Sequence, residues 1–303
     1  MTALPAGSGL PPAPGGFRRW VVGARPRTLA SAVSPVCVGT AIGHWSTGAG
    51  VLWWRAAGAL AVALAIQIGT NYANDYADGV RGTDEARVGP LRLVASGLAS
   101  PRAVGTAAIA SFALAGVAGL ALAAVTTWWL VPVGAASVAA GWLYTGGPKP
   151  YGYLGLGEPF VFVFFGLVAT MGSAYVQVGR VTLVSFVAAL PIGFVTTALL
   201  EANNLRDREG DAAAGKRTLA VRLGAARAPW LYVGAIGAGA LGVAGLATWR
   251  PLALIALGAL VLAVAPVRLM LGGAQGKGLL PVLAATGRIQ IALGALLVVG
   301  ILL

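Results

Sequence analysis

Long apolar runs separated by short polar segments make up most of the chain. Nine of these runs are each about as long as the roughly 20 residues that a helix needs to cross a bilayer. They cover residues 29–46, 51–71, 104–125, 128–145, 159–178, 182–202, 229–248, 251–271 and 282–303. They are rich in Leu, Ala and Gly and lack the strict alternation of barrel strands. The pattern therefore predicts an all-α membrane protein, a bundle of nine transmembrane helices.

The segment before the first run differs from the rest of the chain. Residues 1–16 are rich in Pro, Gly and Ala, which predicts a disordered tail. The segment has no basic region followed by an apolar core, so no cleavable signal peptide is expected. Residues 17–303 are predicted to form a single membrane domain.

Most of the basic residues behind the net charge of +12 lie in the polar segments on one predicted side of the membrane. This distribution does not indicate a nucleic-acid partner. If the N-terminus lies in the cytoplasm, the outer segments contain only Arg55, Arg180 and Arg250 of the 21 basic residues. This asymmetry predicts a multi-pass protein of the cell membrane with a cytoplasmic N-terminus and an external C-terminus. The single Cys37 and the single His44 exclude a disulfide framework and make thiolate or histidine metal sites improbable.

Eight of the nine acidic residues are concentrated in two places, each at the cytoplasmic end of an apolar run. The first cluster ends the second run, and the second ends the sixth run. Their members are Asp75, Asp78, Asp84 and Glu85, then Glu201, Asp207, Glu209 and Asp211, while Glu158 stands apart. Because polar residues at the end of a membrane helix are costly, such clusters indicate a functional site.

Helical spacing places the polar residues of each cluster on one face. Asn71, Asn74, Asp75 and Asp78 follow the spacing i, i+3, i+4 and i+7. In the second cluster Asn203, Asp207 and Asp211 share a face. The two clusters are four runs apart, so their helices should end on the same side of the membrane. Runs one to four and five to eight are thus predicted to be two four-helix pseudo-repeats, with a ninth helix added.

Two carboxylate clusters that face each other need counter-charge, from arginines or from a divalent cation. Carboxylate and carboxamide oxygens suit Mg²⁺, which also binds substrate phosphates. For Glu85 and Glu209 simple pairing with surface arginines is favoured. Asp84 fits either interpretation, because Thr83-Asp84 could also begin a local turn or cap. Six side chains are predicted to bind Mg²⁺: Asn71, Asn74, Asp75, Asp78, Asp207 and Asp211. The four aspartates among them, Asp75, Asp78, Asp207 and Asp211, are the predicted catalytic residues.

Basic residues follow both clusters, as expected of a diphosphate site. Arg81, Arg87 and Arg92 follow the first, and Lys216 and Arg217 follow the second. A diphosphate next to an apolar bundle suggests an isoprenoid diphosphate, whose tail would lie among the helices. Loss of diphosphate would leave an allylic cation, which aromatic rings stabilise. Candidate rings are Tyr72, Tyr76, Tyr144, Phe160, Phe162, Phe164 and Phe165, although ordinary packing is at least as good an explanation for the phenylalanines.

The motifs resemble the UbiA-type intramembrane aromatic prenyltransferases, in particular the branch that prenylates 1,4-dihydroxy-2-naphthoate in menaquinone synthesis. The resemblance covers nearly the whole chain. Its motifs are Ala24-Arg25-Pro26-Arg27-Thr28-Leu29, Asn74-Asp75-x-x-Asp78, Tyr144-Thr145-Gly146-Gly147-Pro148, Gly155-Leu156-Gly157-Glu158, Asn204-x-Arg206-Asp207-x-x-x-Asp211 and Gly215-Lys216-Arg217-Thr218. It implies a central cavity with a polar cap and a lateral opening. It also implies Mg²⁺-dependent prenyl transfer with loss of carbon dioxide, giving demethylmenaquinol and diphosphate.

The resemblance also implies roles for particular residues. Diphosphate would contact Arg81, Lys149, Asn204, Arg206, Lys216 and Arg217. Tyr72, Tyr76, Tyr144 and Glu158 would contact the acceptor or stabilise the cation. Two positions depart from the wider pattern, because Gly82 replaces a frequent third acid and Lys149 stands five residues after Tyr144.

Three other functions compete with this hypothesis. The first is prenyl transfer to another aromatic acceptor, such as 4-hydroxybenzoate. The second is ion or phosphate transport, which would favour acids near the bilayer midplane. The third is CDP-alcohol phosphotransfer, which would need one contiguous aspartate motif, whereas the two clusters here stand about 130 residues apart.

Overall fold

The computed structural model of the chain describes residues 15–83 and 91–303. Within these residues the chain forms ten helices and no strands. They are α1 (Gly16–Ala24), α2 (Ala30–Thr47), α3 (Trp53–Arg81), α4 (Pro101–Val125), α5 (Leu130–Leu143), α6 (Gly157–Val178), α7 (Leu183–Ala213), α8 (Leu219–Leu246), α9 (Pro251–Leu271) and α10 (Gly276–Leu302). Short 3₁₀ turns occupy Pro26–Thr28 and Tyr151–Leu154, and α6 contains a π-helical segment, Phe162–Val168.

The predicted all-α membrane architecture is confirmed, but the count of nine transmembrane helices is not. Among the described residues seven helices are long and apolar enough to cross a membrane, namely α3, α4 and α6 to α10. Each remaining predicted span also coincides with a helix, but α5 has only 14 residues and α2 has Pro35 and several polar side chains in its interior.

The tenth helix, α1, precedes the first apolar run, where hydropathy gave no signal. The predicted N-terminal tail lies outside the described residues except for Gly15 and Gly16, and Gly16 already begins α1.

Capping residues fix where the longer helices begin. Ser100 accepts a hydrogen bond from the Ala103 amide at the start of α4, and Thr182 and Ser185 form a capping box at the start of α7. Both polar clusters lie in the last turns of long helices. Since α3 continues to Arg81 and α7 to Ala213, the clusters remain helical beyond the apolar runs.

Neighbouring helices pair in a repeated way. α3 packs along α4, and α7 packs along α8, four helices later. α2 packs against the second half of α6 and against α10, which in turn contacts α9. The recurrent pairing is the one expected from the two pseudo-repeats, which stay a prediction.

The larger apolar core joins α2 with α6 to α10. Polar groups inside it are paired, as Tyr232 with Thr286 and Gln290 with Thr196.

Small residues allow α6 and α7 to approach closely. A Cβ atom placed on Gly166 would lie 2.4 Å from the Cα atom of Gly193, which is too close for any real contact. Such close packing between glycines is typical of membrane helix interfaces. The contact positions α6 against the helix that ends in the second polar cluster.

Replacing Gly166 with alanine should therefore push these two helices apart. We expect Gly166→Ala to destabilise the protein by about 1–3 kcal/mol, the usual cost of overpacking, and to lower its thermal unfolding midpoint in detergent. Gly237→Ala is the matched control, because an added Cβ there meets no atom within 4 Å. An unchanged midpoint for Gly166→Ala would show that the two helices can separate at no cost.

Candidate active site

A cavity of about 1650 Å³ lies between the helices. The end formed by the C-terminal turns of α3 and α7 is polar, with Asn74, Asp78, Asp207 and Asp211 in its wall. The remainder of the wall is largely apolar and comes from the first half of α3 and from α4, α5 and α6. The cavity thus combines a charged end with space for an apolar chain.

Asp78 lies at the polar end and is contacted by four side chains. Its Oδ1 atom accepts hydrogen bonds from the Tyr153 hydroxyl at 2.7 Å, from Lys216 Nζ at 3.2 Å and from Thr83 Oγ1 at 3.2 Å. Its Oδ2 atom lies 3.5 Å from Arg92 Nη2. Because these donors come from separate segments of the chain, Asp78 connects α3 to the loops that cover the cavity.

Lys216 joins the two polar clusters. Its ammonium nitrogen lies 3.2 Å from Asp78 Oδ1 on α3 and 3.6 Å from Asp211 Oδ1 on α7. Burial alone would lower the pKa of Lys216, but the two carboxylates outweigh it, so the pKa is raised and the group stays charged. The structure therefore brings carboxylates of both clusters within reach of a single cation.

Tyr153 completes this arrangement from the turn Tyr151–Leu154. Burial and the neighbouring Asp78 raise the pKa of its phenol, which keeps the hydroxyl protonated as a donor to Asp78. The Tyr153 ring also lies beneath Lys216 Nζ, 4.7 Å from the ring centroid.

Asp207, another acid of α7 in the cavity wall, is paired locally. Arg206 Nε and Nη2 bind the two carboxylate oxygens of Asp207 at 2.8 and 2.7 Å. Two further hydrogen bonds join neighbouring segments at the polar end. Thr145 Oγ1 donates to Asn74 Oδ1 at 2.7 Å. Asn204 Nδ2 donates to Glu158 Oε1 at 2.8 Å. The predicted residues Asn74, Asn204 and Arg206 thus all line the cavity.

Two predicted metal ligands make contacts with the backbone instead. Asp75 does not line the cavity, and its two carboxylate oxygens accept the backbone N–H groups of Leu93 and Val94 at 2.8 and 3.0 Å. Asn71 does line it, but its Nδ2 atom donates to the Ala24 carbonyl at 2.9 Å and to Thr28 Oγ1 at 3.0 Å. Asp75 therefore anchors the loop before α4, and Asn71 anchors the turn before α2.

The sequence matches the profile of the UbiA prenyltransferase family over residues 32–275. The chain belongs to the UbiA prenyltransferase family. It is 53% identical over 274 residues to the 1,4-dihydroxy-2-naphthoate octaprenyltransferase of Mycobacterium tuberculosis, a match that covers 89% of this chain and 92% of that protein. It is 40% identical to the Escherichia coli enzyme of the same name over 212 residues, or 68% of each chain.

Solved structures of UbiA homologues share the fold. The homologue from Aeropyrum pernix K1 has a TM-score of 0.69 at 14% identity, covering 91% of this chain and 98% of that one. A homologue from Archaeoglobus fulgidus, bound to DMAPP and Mg²⁺, has a TM-score of 0.64 at 16% identity, covering 92% and 98%.

Three of the predicted diphosphate ligands do not line the cavity, namely Arg81, Lys149 and Arg217. Arg81 donates to the backbone carbonyls of Thr145 and Gly147, so it holds the loop after α5. Lys149 and Arg217 are exposed. Their roles in diphosphate binding stay predictions. Asp84, Glu85 and Arg87 lie outside the described residues.

Some of the predicted aromatic residues line the cavity and others do not. Tyr144 lines the cavity and packs edge-on against Tyr151, whose ring stacks on Phe160 with centroids 4.0 Å apart. In contrast, Tyr72 donates to the Trp20 carbonyl of α1, and Tyr76 packs against Trp142. Tyr72, Tyr76 and Glu158 are not in the cavity wall.

Sequence reasoning missed several residues of the polar end. Tyr153, Thr145 and Thr83 were not predicted to bind, and Arg92 was only grouped with other basic residues. Tyr153 follows Pro150-Tyr151-Gly152, and an aromatic residue in such a Gly- and Pro-rich loop could have suggested a side chain returned towards a site. The left-handed Arg25, with φ of 52°, also lines the cavity.

The contacts of Asp75 predict a mainly structural effect when it is changed. Asp75→Asn leaves one backbone N–H of the 91–100 loop facing an amide NH₂ group, an unsatisfied donor that costs about 1–3 kcal/mol. We expect a lower thermal unfolding midpoint, with Glu209→Gln as the control because Glu209 is exposed and pairs with its sequence neighbour Arg208. If the midpoint of Asp75→Asn matched that of the control, the anchoring role would be wrong.

Proposed function

We propose that this protein transfers a polyprenyl group from polyprenyl diphosphate to 1,4-dihydroxy-2-naphthoate in an Mg²⁺-dependent reaction. The ring would lose its carboxylate as carbon dioxide, and the products would be demethylmenaquinol and diphosphate. The observation that carries the proposal is the charged end of the large apolar cavity, where Asp78 and Asp211 converge on Lys216. The names of the relatives support the acceptor.

The side chains at the polar end fit Mg²⁺ chemically. Asn74, Asp78, Asp207 and Asp211 present carboxamide and carboxylate oxygens to one cavity, and these hard ligands suit Mg²⁺. Among the described residues no three acids, histidines or cysteines cluster as a complete metal site. Mg²⁺ commonly binds through a few protein ligands, with water and substrate phosphate oxygens as the others. When bound, the ion would supply Lewis-acid stabilisation of the departing diphosphate.

The basic side chains of the chain would bind the diphosphate itself. Lys216 already occupies the position between the two acidic clusters, and its raised pKa keeps it cationic at neutral pH. Arg92 and Arg206 line the same end and are buried, which strengthens their attraction for an anion. Each of these cations is paired with an aspartate, so binding of the diphosphate would exchange partners within an existing network.

The apolar part of the cavity would hold the isoprenoid chain and exclude water from the allylic carbon. Tyr144, Tyr151 and Phe160 form a contiguous aromatic group in the wall. Aromatic faces attract a cation by about 0.5–2 kcal/mol each. This group is our candidate for stabilising positive charge during transfer.

We also propose that the polar end of the cavity faces the cytoplasm. The C-terminal ends of α3 and α7 carry both clusters, and the basic residues concentrate on that side of the predicted topology. The N-terminus and the loops over the site would then be cytoplasmic and the C-terminus external. A negative membrane surface on that side would attract the basic segments.

A competition assay tests the acceptor and the metal together. Purified protein in lipid nanodiscs receives a polyprenyl diphosphate with equal amounts of 1,4-dihydroxy-2-naphthoate and 4-hydroxybenzoate. We expect prenylated naphthoquinol and carbon dioxide with Mg²⁺, and neither in excess chelator, measured by chromatography and mass spectrometry. Exclusive prenylation of 4-hydroxybenzoate would refute the acceptor, and full activity in chelator would refute the metal.

Lys216 provides a separate test of the polar end. Lys216→Gln removes the cation between Asp78 and Asp211, and we expect kcat/KM for the diphosphate substrate to fall about tenfold or more. Lys277→Gln is a matched control on the same side of the bundle, since Lys277 is exposed. Equal kinetics in the two variants would exclude Lys216 from diphosphate binding.

A further inference from the structure

A second pair of acids lies where α6 packs against α7, behind the cavity wall. Glu158, in the first turn of α6, is 6% exposed, and Glu201 on α7 is 1% exposed. The first turns of α6 contact α7, and Glu201 lies one turn before the α7 residue that binds Glu158, so the two acids are neighbours. Asn204, one turn beyond Glu201, lines the cavity and donates to Glu158 Oε1 at 2.8 Å. The pair is therefore buried but connected to the cavity through one amide.

Hydrogen-bond donors are scarce around this pair. Glu158 Oε2 and both carboxyl oxygens of Glu201 receive no hydrogen bond from any other group that the structure describes. Neither acid forms an ion pair with a basic side chain in the described part of the chain. Four carboxyl oxygens thus share a single amide donor.

Two ionised carboxylates cannot remain side by side under these conditions. Each would be desolvated, and their like charges would repel in a medium of low polarity. One proton removes both problems, because a protonated carboxyl donates to its ionised neighbour, as in other buried carboxylate pairs. The pair then carries a single negative charge.

The surroundings of the two acids indicate where that charge resides. Glu158 lies in the first turn of a helix, where the helix dipole favours an anion, and it accepts the Asn204 amide hydrogen. Glu201 lies within α7 and has no such donor. The proton therefore belongs on Glu201, and the carboxylate on Glu158.

We propose that Glu158 and Glu201 share one proton and act as a positioning pair that holds the Asn204 amide in one orientation at the cavity wall. An asparagine amide presents an oxygen or an NH₂ group depending on a half-turn of its side chain. The anionic Glu158 selects the NH₂ group, so the Asn204 oxygen is directed elsewhere. The part that concerns ligand binding rests on the proposed function, in which a diphosphate occupies the polar end of the cavity that Asn204 lines.

Infrared spectroscopy tests the shared proton without any substrate. At neutral pH the wild-type protein should show the carbonyl stretch of a protonated carboxylic acid that resists exchange with bulk solvent. Glu201→Gln should lose this band, whereas Glu209→Gln, which changes an exposed acid, should keep it. A wild-type spectrum without the band, or a band that survives in Glu201→Gln, would overturn the proposal even if prenyl transfer is confirmed.

Binding of farnesyl diphosphate with Mg²⁺ tests the positioning role. Glu201→Ala should raise the Kd about three- to tenfold, and Glu201→Gln should restore it to within about twofold, because its amide can donate to Glu158 as the protonated acid does. In the Asn204→Ala background the effect of Glu201→Ala should vanish.

Three binding results would overturn the positioning role. They are a Glu201→Gln protein as impaired as Glu201→Ala, an unchanged Kd in Glu201→Ala, and an effect that persists without Asn204. If Glu201→Ala does not fold, two measurements still test the proposal. They are the Kd of Glu201→Gln relative to the wild-type protein and the infrared band of the protonated acid. Since neither readout uses the aromatic acceptor, failure of the proposed acceptor would leave both tests intact.

Discussion

The ammonium group of Lys216, held between Asp78 and Asp211, is the interaction on which the polar end depends. Buried charges are costly unless they are paired, and two acidic helix ends would otherwise repel each other. Lys216 compensates both carboxylates from the short connection between α7 and α8. Tyr153 and Arg92 also contact Asp78, so the same carboxylate holds the loops that cover the cavity.

Acids that share a helical face have different tasks here. Asp75 and Asp78 lie one turn apart on α3, yet Asp75 accepts two backbone N–H groups of the following loop while Asp78 faces the cavity. Asn71 likewise holds the turn before α2. The polar face of α3 therefore has one side that organises the backbone and another that remains available for a ligand. The polar end of α3 therefore both anchors the neighbouring backbone and presents side chains to a ligand.

Much of this could be predicted from the sequence, because periodicity and length carry the information. The apolar runs predict the helices, and the spacing of Asn74, Asp78, Asp207 and Asp211 predicts side chains that meet in one cavity. Spacing alone could not separate Asp75 from Asp78, since the loop that binds Asp75 is remote in sequence. The same reason hid Tyr153, whose position depends on a 3₁₀ turn, and the proximity of Glu158 to Glu201. The helix α1 was missed because it is too polar to appear in a hydropathy pattern.

The charge balance at the polar end gives a physical reason for the proposed dependence on Mg²⁺. Asp78, Asp207 and Asp211 are ion-paired with Arg92, Arg206 and Lys216, so these six side chains are together close to neutral. In the proposed reaction a diphosphate would bring several negative charges into this partly desolvated space. The paired arginines and lysine can turn to the diphosphate only if their aspartates gain another counter-ion. In the proposed reaction a divalent cation held by these aspartates would supply that counter-charge. The carboxylates that stabilise the polar end by pairing with Lys216 would thus also be suited to hold Mg²⁺.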